Sequence, residues 1–503
     1  MGERTRIGLA VLGAALALGG LGDVLLRATP WGINLPLLVA ALSISAVGLS
    51  RLGGLQPVGE GRWLVPLAVL FAGGVALRDS PIVVALDVSM AMLALSLAAL
   101  RGRSGALRRA GVSEYVIGAA YVGAMTSAGM IPAAVRDVRW REVAPGDWQG
   151  QALAVARGTL IATPLLVVFG TLLVAADTVF EDLVFGLFDL DPLFLGHLFL
   201  TLFIAWVSAG LLTFRLLGRD RENHGLQRPD GLSLGIVEVG VVLGLLNGLF
   251  LAFVVVQAGY LFGGAGRVAA TAGLTYAEYA RRGFFELVAV TALVIPVLLL
   301  AEWLLRVDAP FQGRVFRALS GTTITLLSVI VVSALHRMYL YQQEFGLTVS
   351  RVCATVFMAW LASVLLWFAL TVLRGKRDRF AFGALVAGFA AAVLLNVVSP
   401  DALVARVNIE RLEADERFDP YYLTFLSADA VPVLVESFPD VGDTHPYQQN
   451  VGGGGREARV QRGPTLQQVV ERQWKRGPTD WRSWNLSRFR AQRLVEDTSE
   501  NGR

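Results

Sequence analysis

Long apolar runs separated by short polar loops dominate the chain up to residue 398. A helix needs roughly 20 apolar residues to cross the hydrocarbon core of a bilayer. Eleven runs meet or approach that length, so the pattern predicts eleven transmembrane helices. The predicted helices are Ile7–Leu26, Trp31–Leu49, Trp63–Leu77, Pro81–Leu100, Thr159–Ala176, Leu193–Leu217, Leu232–Phe262, Gly283–Leu305, Thr322–Leu340, Val352–Leu373 and Phe380–Val398.

The first run begins almost at Met1, and no small-residue cleavage site follows a short apolar core. We therefore interpret this run as a retained helix rather than a cleaved signal peptide.

Val112–Val135 is a twelfth apolar stretch, and the orientation of every later loop depends on whether it crosses the membrane. If it does not cross, the Arg and Lys residues of the loops gather on one side, and the opposite loop Asp177–Pro192 contains none. The positive-inside rule then predicts a cytoplasmic amino terminus and a carboxyl-terminal region outside the cytoplasm. Crossing would place the basic cluster Arg374–Arg379 outside. We therefore interpret the stretch as a re-entrant or surface-packed pair of segments, whose Gly and Ala residues allow close backbone contact.

The carboxyl-terminal region is polar and differs from the rest. It contains the glycine run Gly452–Gly455, followed by Trp474, Trp481 and Trp484 among Arg and Gln residues. This composition predicts a flexible linker and a small helical domain that caps the bundle or lies on the membrane surface. Alternatively, the tryptophans only anchor a tail at the interface.

The predicted fold class is an all-α membrane protein, a polytopic bundle of about eleven transmembrane helices with a small helical extracytoplasmic C-terminal region. The predicted division is four helices in residues 1–100, a cytoplasmic or re-entrant segment in 101–158, a seven-helix membrane core in 159–398 and the C-terminal region in 399–503.

Composition supports this class. Hydrophobic residues make up 54% of the 503 residues and charged residues only 17%, whereas soluble domains carry roughly 25% charged residues. The net charge of +4 arises from Arg residues in short loops between apolar runs, so it indicates orientation in a bilayer and we predict no nucleic-acid binding. The single cysteine, Cys353, excludes an intramolecular disulfide and a cysteine-based metal site.

The stretch Tyr276–Glu286 places charged and phenolic side chains at helical spacing beside a long apolar run. Glu278, Arg282 and Glu286 are four residues apart and share one helix face, with Tyr279 beside it. Charge at the edge of a membrane helix is a candidate functional site, because it is costly unless it faces protein or water. The alternative is an interfacial anchor of Tyr and Arg side chains.

The end of the ninth predicted helix carries a second polar group, in which Arg337, Tyr341 and Glu344 share one face and His336 lies on the next. Gly346 is expected to end this helix and Thr348 to cap the following one.

On the predicted topology, these groups, the acidic loop and the start of the tail all lie at the outer face. Arginine there could bind a phosphate or carboxylate, with His336 or a carboxylate transferring protons. The same residues could instead form an ion-pair network that clamps the tail to the bundle. The candidate ligand-binding residues are Arg282, Arg337, His336, Glu286, Tyr279, Glu278, Tyr341, Glu344, Asp177, Asn408 and Arg411.

Other polar residues lie singly in different predicted helices. They would form a proton or ion path only if several of them converged. They are Asp87, Glu238, Asn247, Gln257 and Glu302.

Motifs for nucleotide, zinc or dinucleotide chemistry are missing from the sequence: there is no Gly-Lys-Ser/Thr loop, no His-Glu-x-x-His and no Gly-x-Gly-x-x-Gly. We therefore expect neither a cofactor nor a metal site.

The sequence contains five ordered motifs, namely Ala175–Phe180, Leu274–Leu287, His336–Tyr341 with Phe345–Thr348, Val407–Arg411 and Ser427–Pro432. They resemble the bacterial membrane proteins grouped as domain of unknown function 4173. The resemblance runs from about residue 159 to the tail and implies a multi-helix protein of the bacterial cytoplasmic membrane, without an activity that can be transferred.

Three functions remain open from the sequence. The first is the binding or transport of an anionic solute or lipid-linked envelope component at the outer-face cluster. The second is an outer-face transferase that uses a lipid-linked donor, although this analogy is only architectural. The third is a non-catalytic assembly or sensor protein that packs with other membrane proteins. The lipid bilayer is a partner in all three.

Overall fold

The computed structural model describes residues 2–54, 59–101, 108, 110–143, 147–180, 192–217, 233–261, 284–306, 309–414, 420–444, 448–451, 459–462, 464–475 and 480–501. Its helices are α1 (Glu3–Leu26), α2 (Asn34–Leu52), α3 (Leu64–Leu77), α4 (Pro81–Arg101), α5 (Val112–Ala128), α6 (Trp140–Val143), α7 (Asp147–Ala176), α8 (Pro192–Leu217), α9 (Ile236–Leu261), α10 (Phe284–Leu304), α11 (Pro310–Phe345), α12 (Val349–Thr371), α13 (Phe380–Val398), α14 (Pro400–Glu413), α15 (Val431–Glu436), α16 (Phe438–Val441), α17 (Leu466–Trp474) and α18 (Leu486–Asn501).

Nine of the described helices are long and apolar enough to cross a membrane, namely α1, α2, α4 and α8 to α13. The apolar helix that includes α3 is shorter, and the predicted run Thr159–Ala176 forms the second part of α7. The expectation of an all-α polytopic membrane protein is therefore confirmed.

Helix α11 differs from its prediction, because it begins at Pro310 rather than at Thr322. Proline is favoured in the first turn, where its missing N–H is not needed. The helix ends at Gly346, which has a φ of 72°, and the side chain of Thr348 accepts a hydrogen bond from the N–H of Arg351 to begin α12. Both predicted boundary signals are confirmed.

The core of the bundle forms in several connected layers. Leu243, Leu298, Leu327 and Phe368 are buried together among α9 to α12. On the amino-terminal side, α1 packs closely along α8. A third layer joins α3, α4 and α13 through stacked Phe71 and Phe389 rings, 5.5 Å apart. Helix α13 therefore connects the amino-terminal helices with the rest of the bundle.

Helix α5 and the π-helix after it form a hairpin that starts and ends at one end of the bundle. Gly118 of α5 lies against Leu100 at the end of α4, and Gly210 packs on the last turn of α5 from the middle of α8. Gly129 has a φ of 56°, and a Cβ there would lie 2.2 Å from the Trp206 ring. The chain then returns to the start of α1. The re-entrant placement of this segment in a membrane stays a prediction.

The C-terminal region packs on the opposite end of the bundle, which we call the tail end; it contains the α3–α4 turn (residues 78–80) and the α11–α12 turn (346–348). The region shares a buried core with the α11–α12 turn and with α12 and α13, and this core includes Leu423, Leu434 and Val495. It is not purely helical, because β1 (Gln448–Val451) pairs with β2 (Arg459–Arg462) in an antiparallel hairpin. The glycine run 452–455 lies outside the described residues.

Candidate functional site

A buried polar network joins the C-terminal region to the α3–α4 turn; we call it the junction. Asp429 is 7% exposed, and its Oδ2 accepts hydrogen bonds from the N–H groups of Asp79 at 2.9 Å and Ser80 at 3.0 Å. Its Oδ1 accepts a hydrogen bond from the Ser487 hydroxyl at 2.5 Å and lies 3.5 Å from Nη1 of Arg78. One carboxylate therefore fixes the α3–α4 turn to α18.

Arg488 is the second centre of the junction and is also 7% exposed. Its Nε lies 3.0 Å from Oδ1 of Asp79, and its other nitrogens donate to the carbonyl groups of Pro30 and Trp31. Burial raises the pKa of Asp79, against the lowering effect of Arg488. Burial likewise lowers the pKa of Arg488, against the attraction of Asp79. In both groups, desolvation affects the pKa more than the attraction between the two charges does. This ion pair therefore fixes the positions of the two side chains more than it stabilises the fold.

Asn485 completes the junction by capping two helices that are distant in sequence. Its Nδ2 donates to the carbonyl oxygens of Val75 at 2.9 Å and Arg78 at 2.8 Å, at the end of α3. Its Oδ1 accepts a hydrogen bond from the N–H of Arg488 at 3.1 Å, at the start of α18. The amide therefore satisfies backbone groups at a helix C-terminus and at a helix N-terminus.

The candidate residues Asn408 and Arg411 meet at the end of α11. Asn408 is 0% exposed; its amide accepts from the N–H of Leu347 and donates to the carbonyl of Leu347, each at 2.8 Å. Arg411 donates to the carbonyl of Gln343 at 2.8 Å. Helix α14 is thereby attached to the α11–α12 turn.

Tyr341 lies in the same place. The guanidinium of Arg351 stacks 4.1 Å from the centre of the Tyr341 ring. Arg351 also donates to the carbonyl oxygen of Gly346 at 2.5 Å. This arginine therefore interacts with the last carbonyl groups of α11, where the helix dipole favours positive charge.

His336 and Glu344 are exposed on α11, and Arg337 is half-buried between them. Glu286 is exposed in the first turn of α10. We call the polar residues at this end of α11, together with their partners on α12 and α14, the α11-end cluster: His336, Arg337, Tyr341, Glu344, Arg351, Asn408 and Arg411.

The remaining candidates do not add to this cluster in the described part of the chain. Asp177 is exposed, and its Oδ1 accepts hydrogen bonds from the N–H groups of Val179 at 2.8 Å and Phe180 at 2.9 Å. This is the geometry of a helix N-cap, a local structural role. Glu278, Tyr279 and Arg282 lie outside the described residues, so their place in an outer-face binding site stays a prediction.

Three of the five polar residues predicted inside the helices lie in separate pairs in the described part of the chain. Asn247 accepts a hydrogen bond from the hydroxyl of Thr323 at 2.8 Å. Glu302 lies 3.3 Å from Nη1 of Arg377, toward the end of the bundle opposite the tail. Asp87 pairs with an asparagine of α13, in the layer that α3, α4 and α13 share.

Sequence reasoning missed the junction because its members form no motif for a known chemistry. Asn485 before α18 is a recognisable N-cap type, but its contact with α3 joins residues 407 positions apart. Asp429 lies in the motif Ser427–Pro432, which the sequence marked for its resemblance to known proteins and not for its chemistry.

Comparison with known proteins gives one result. The family described as Domain of unknown function (DUF4153) matches residues 65–437, most of the chain. The resemblance to domain of unknown function 4173 is not confirmed. A search of curated proteins found no match, and neither did a search of solved structures. The matched region extends from α3 into the C-terminal region and contains both the α11-end cluster and Asp429. This chain belongs to the family of the domain of unknown function DUF4153.

Proposed function

We propose that this integral membrane protein binds or transports an anionic group at the α11-end cluster, as part of a solute or of a lipid-linked envelope component. The observation that carries the proposal is the charge of the cluster. By residue type, the cluster contains three arginines, Arg337, Arg351 and Arg411, and one acid, Glu344. Arginine presents planar donors that suit phosphate and carboxylate groups.

The three arginines are not equivalent. Arg351 and Arg411 both donate to backbone carbonyl groups at the end of α11, so part of their charge offsets the negative end of the helix dipole. Arg337 lies two turns earlier on α11 and is half-buried. His336 beside it is exposed. Because Arg337 lies away from the negative end of the α11 dipole, its removal should affect anion binding more than the removal of Arg351 or Arg411.

The test uses the full-length protein purified with bilayer lipid. Native mass spectrometry measures the retention of phosphatidylglycerol, an anionic lipid, against that of phosphatidylcholine, and calorimetry measures the binding of inorganic phosphate. Arg337→Gln should lower retention or phosphate binding at least threefold. The matched control is Arg317→Gln, on the same helix near the opposite end of the bundle, and it should leave both quantities unchanged.

Equal losses in Arg337→Gln and Arg317→Gln would indicate only general attraction of lipid by positive charge and would contradict the proposal. Loss of phosphatidylglycerol alone would identify a lipid headgroup, and loss of phosphate alone would identify a solute.

The other two functions give different outcomes in the same experiment. A transferase that uses a lipid-linked donor should alter the chemical structure of a retained lipid during incubation. A non-catalytic assembly or sensor protein should retain no lipid selectively and should instead copurify with membrane proteins.

We further propose that the protein is a multi-pass protein of the bacterial cytoplasmic membrane, with the amino terminus cytoplasmic and the tail end outside. Support comes from the Arg asymmetry of the loops. A cysteine placed at Gln449 in a Cys353→Ala background should react with a membrane-impermeant maleimide in intact cells. Reaction only after permeabilisation would reverse the orientation.

A further inference from the structure

A carboxyl group is buried between α3, α4 and α13. Asp87 lies in the second turn of α4 and is 0% exposed. Its Oδ1 accepts a hydrogen bond from Nδ2 of Asn396 on α13 at 2.7 Å. Its Oδ2 is buried and has no hydrogen-bond partner among the described residues. A buried carboxylate normally accepts several hydrogen bonds or pairs with a cation, because an uncompensated charge is costly there.

The surroundings of Oδ2 suit a carboxyl oxygen that donates a hydrogen bond rather than one that accepts it. A Cβ on Gly74 of α3 would lie 2.2 Å from Oδ2 of Asp87 and 3.2 Å from Oδ1 of Asn396. Both oxygens therefore face Gly74 on α3. Two acceptor oxygens placed together repel each other unless one of them carries a proton.

The orientation of the Asn396 amide is set independently of Asp87. Its Nδ2 also donates to the carbonyl oxygen of Ala392, one turn earlier on α13, at 3.2 Å. Exchanging the amide nitrogen and oxygen would break both of these bonds. The oxygen beside Asp87 Oδ2 is therefore an acceptor, and the carboxyl group is the available donor.

The groups that face Asp87 provide little compensation for a negative charge. From the end of α3, the positive charge of Arg78 acts on it, but Arg78 also lies 3.5 Å from Asp429. From α13 the polar contact is the neutral amide of Asn396. The neighbouring layer of α3 and α13 contains the apolar rings of Phe71 and Phe389.

We propose that Asp87 is a proton-binding site inside the bundle, whose protonated carboxyl group forms a two-bond ring with the amide of Asn396. The carboxyl O–H donates to Oδ1 of Asn396, and Nδ2 donates back to Oδ1 of Asp87. Binding takes one proton from water, and release returns it and leaves one negative charge between α4 and α13. Because that charge has a single hydrogen-bond donor among the described residues, release weakens the contact between these two helices.

Infrared spectroscopy of the full-length protein in lipid vesicles tests the site directly, because protonated and ionised carboxyl groups absorb at separate frequencies. At neutral pH the wild type should show a protonated carboxyl band that Asp87→Asn lacks. Asp440→Asn, which changes an exposed aspartate at the tail end, is the matched control and should keep the band. Asn396→Leu should shift the band, because the carboxyl group loses its amide partner.

Thermal unfolding provides a second measurement. A carboxyl that is protonated in the folded state and ionised in the unfolded state makes stability fall as the pH rises above about 4. The melting temperature of the wild type should therefore fall more steeply with pH than that of Asp87→Asn.

Two results would overturn the proposal. One is a wild-type spectrum that Asp87→Asn does not change, since Asp87 would then be ionised. The other is a carboxyl band that stays at the same frequency in Asn396→Leu. If Asp87→Asn does not accumulate in the membrane, Asn396→Leu decides alone, because its band either shifts or does not.

Discussion

The junction and the α11-end cluster lie at the same end of the bundle, yet they use charge in opposite ways. At the junction, Arg488 and Asp429 are each 7% exposed, and each contacts several partners. At the α11-end cluster, His336 and Glu344 are exposed. Arginine and acid are present in both places, so residue type does not separate them.

Burial explains the difference. A charge removed from water must be compensated by fixed partners, so removing one partner leaves the other at high cost. A charge that stays in water loses little when its neighbour is removed, and it remains available to a ligand. The junction is therefore expected to act as a clamp, and the α11-end cluster as a surface on which a ligand can exchange.

The largest effect is expected at the junction. Arg488→Ala leaves Asp79 buried without its cation and should lower the free energy of unfolding by about 3–5 kcal/mol. Thermal or denaturant unfolding in detergent measures this. The control Arg490→Ala changes an exposed residue of the same helix and should cost within about 0.5 kcal/mol. Similar costs for the two variants would mean that α18 is not docked as described.

Asn408 tests whether the burial of a residue or its location in the molecule determines the stability cost of replacing it. It belongs to the α11-end cluster but is 0% exposed. Asn408→Ala removes the partners of two backbone groups of Leu347 and should cost about 1–3 kcal/mol. Arg406→Ala, which changes an exposed residue of α14, is the control and should have little effect. If the two variants were equally stable, location rather than burial would determine the stability cost.

The pH dependence of the junction follows from Asp79. Burial raises its pKa above the ordinary value near 3.8. At a pH between this ordinary value and the raised pKa of the folded state, Asp79 holds a proton in the folded protein that it has lost in the unfolded chain. Stability therefore falls as the pH rises through this window and then levels off. The melting temperature should therefore fall more steeply with pH in the wild type than in Asp79→Asn. Parallel curves would show that Asp79 does not titrate differently in the folded state.

The smallest effect is expected at the surface of the α11-end cluster. His336→Gln should change stability by no more than about 0.5 kcal/mol. His197→Gln serves as the comparison, because Nδ1 of His197 lies 2.9 Å from Oδ2 of Asp23, and this variant should be less stable than His336→Gln. A larger loss in His336→Gln would show that His336 is a structural residue.

Much of the fold could be predicted from the sequence, because the length and apolarity of a membrane helix are local properties. The same holds for Gly346 and Thr348, which mark helix ends through their own backbone and side-chain chemistry. The pattern did not predict the early start of α11 at Pro310, since helix can continue beyond the apolar run into a polar segment.

The candidate site was only partly predictable. The sequence identified Tyr341, Asn408 and Arg411, which do meet at the end of α11. Their contacts with carbonyl groups and with Arg351 could not be predicted, because spacing along a chain does not reveal which atoms lie opposite. Asp177 was chosen for its charge, but its hydrogen bonds are those of a helix cap.

By itself, the sequence determined that this chain forms apolar helices for a bilayer, since hydrophobicity and helical spacing belong to each segment alone. Only the tertiary structure decided which charged residues are buried. Asp79, Asp429 and Arg488 come together over hundreds of residues, and Asp87 meets Asn396 across 309 positions. The energy of a charge depends on its solvent exposure and its partners, and packing alone sets both.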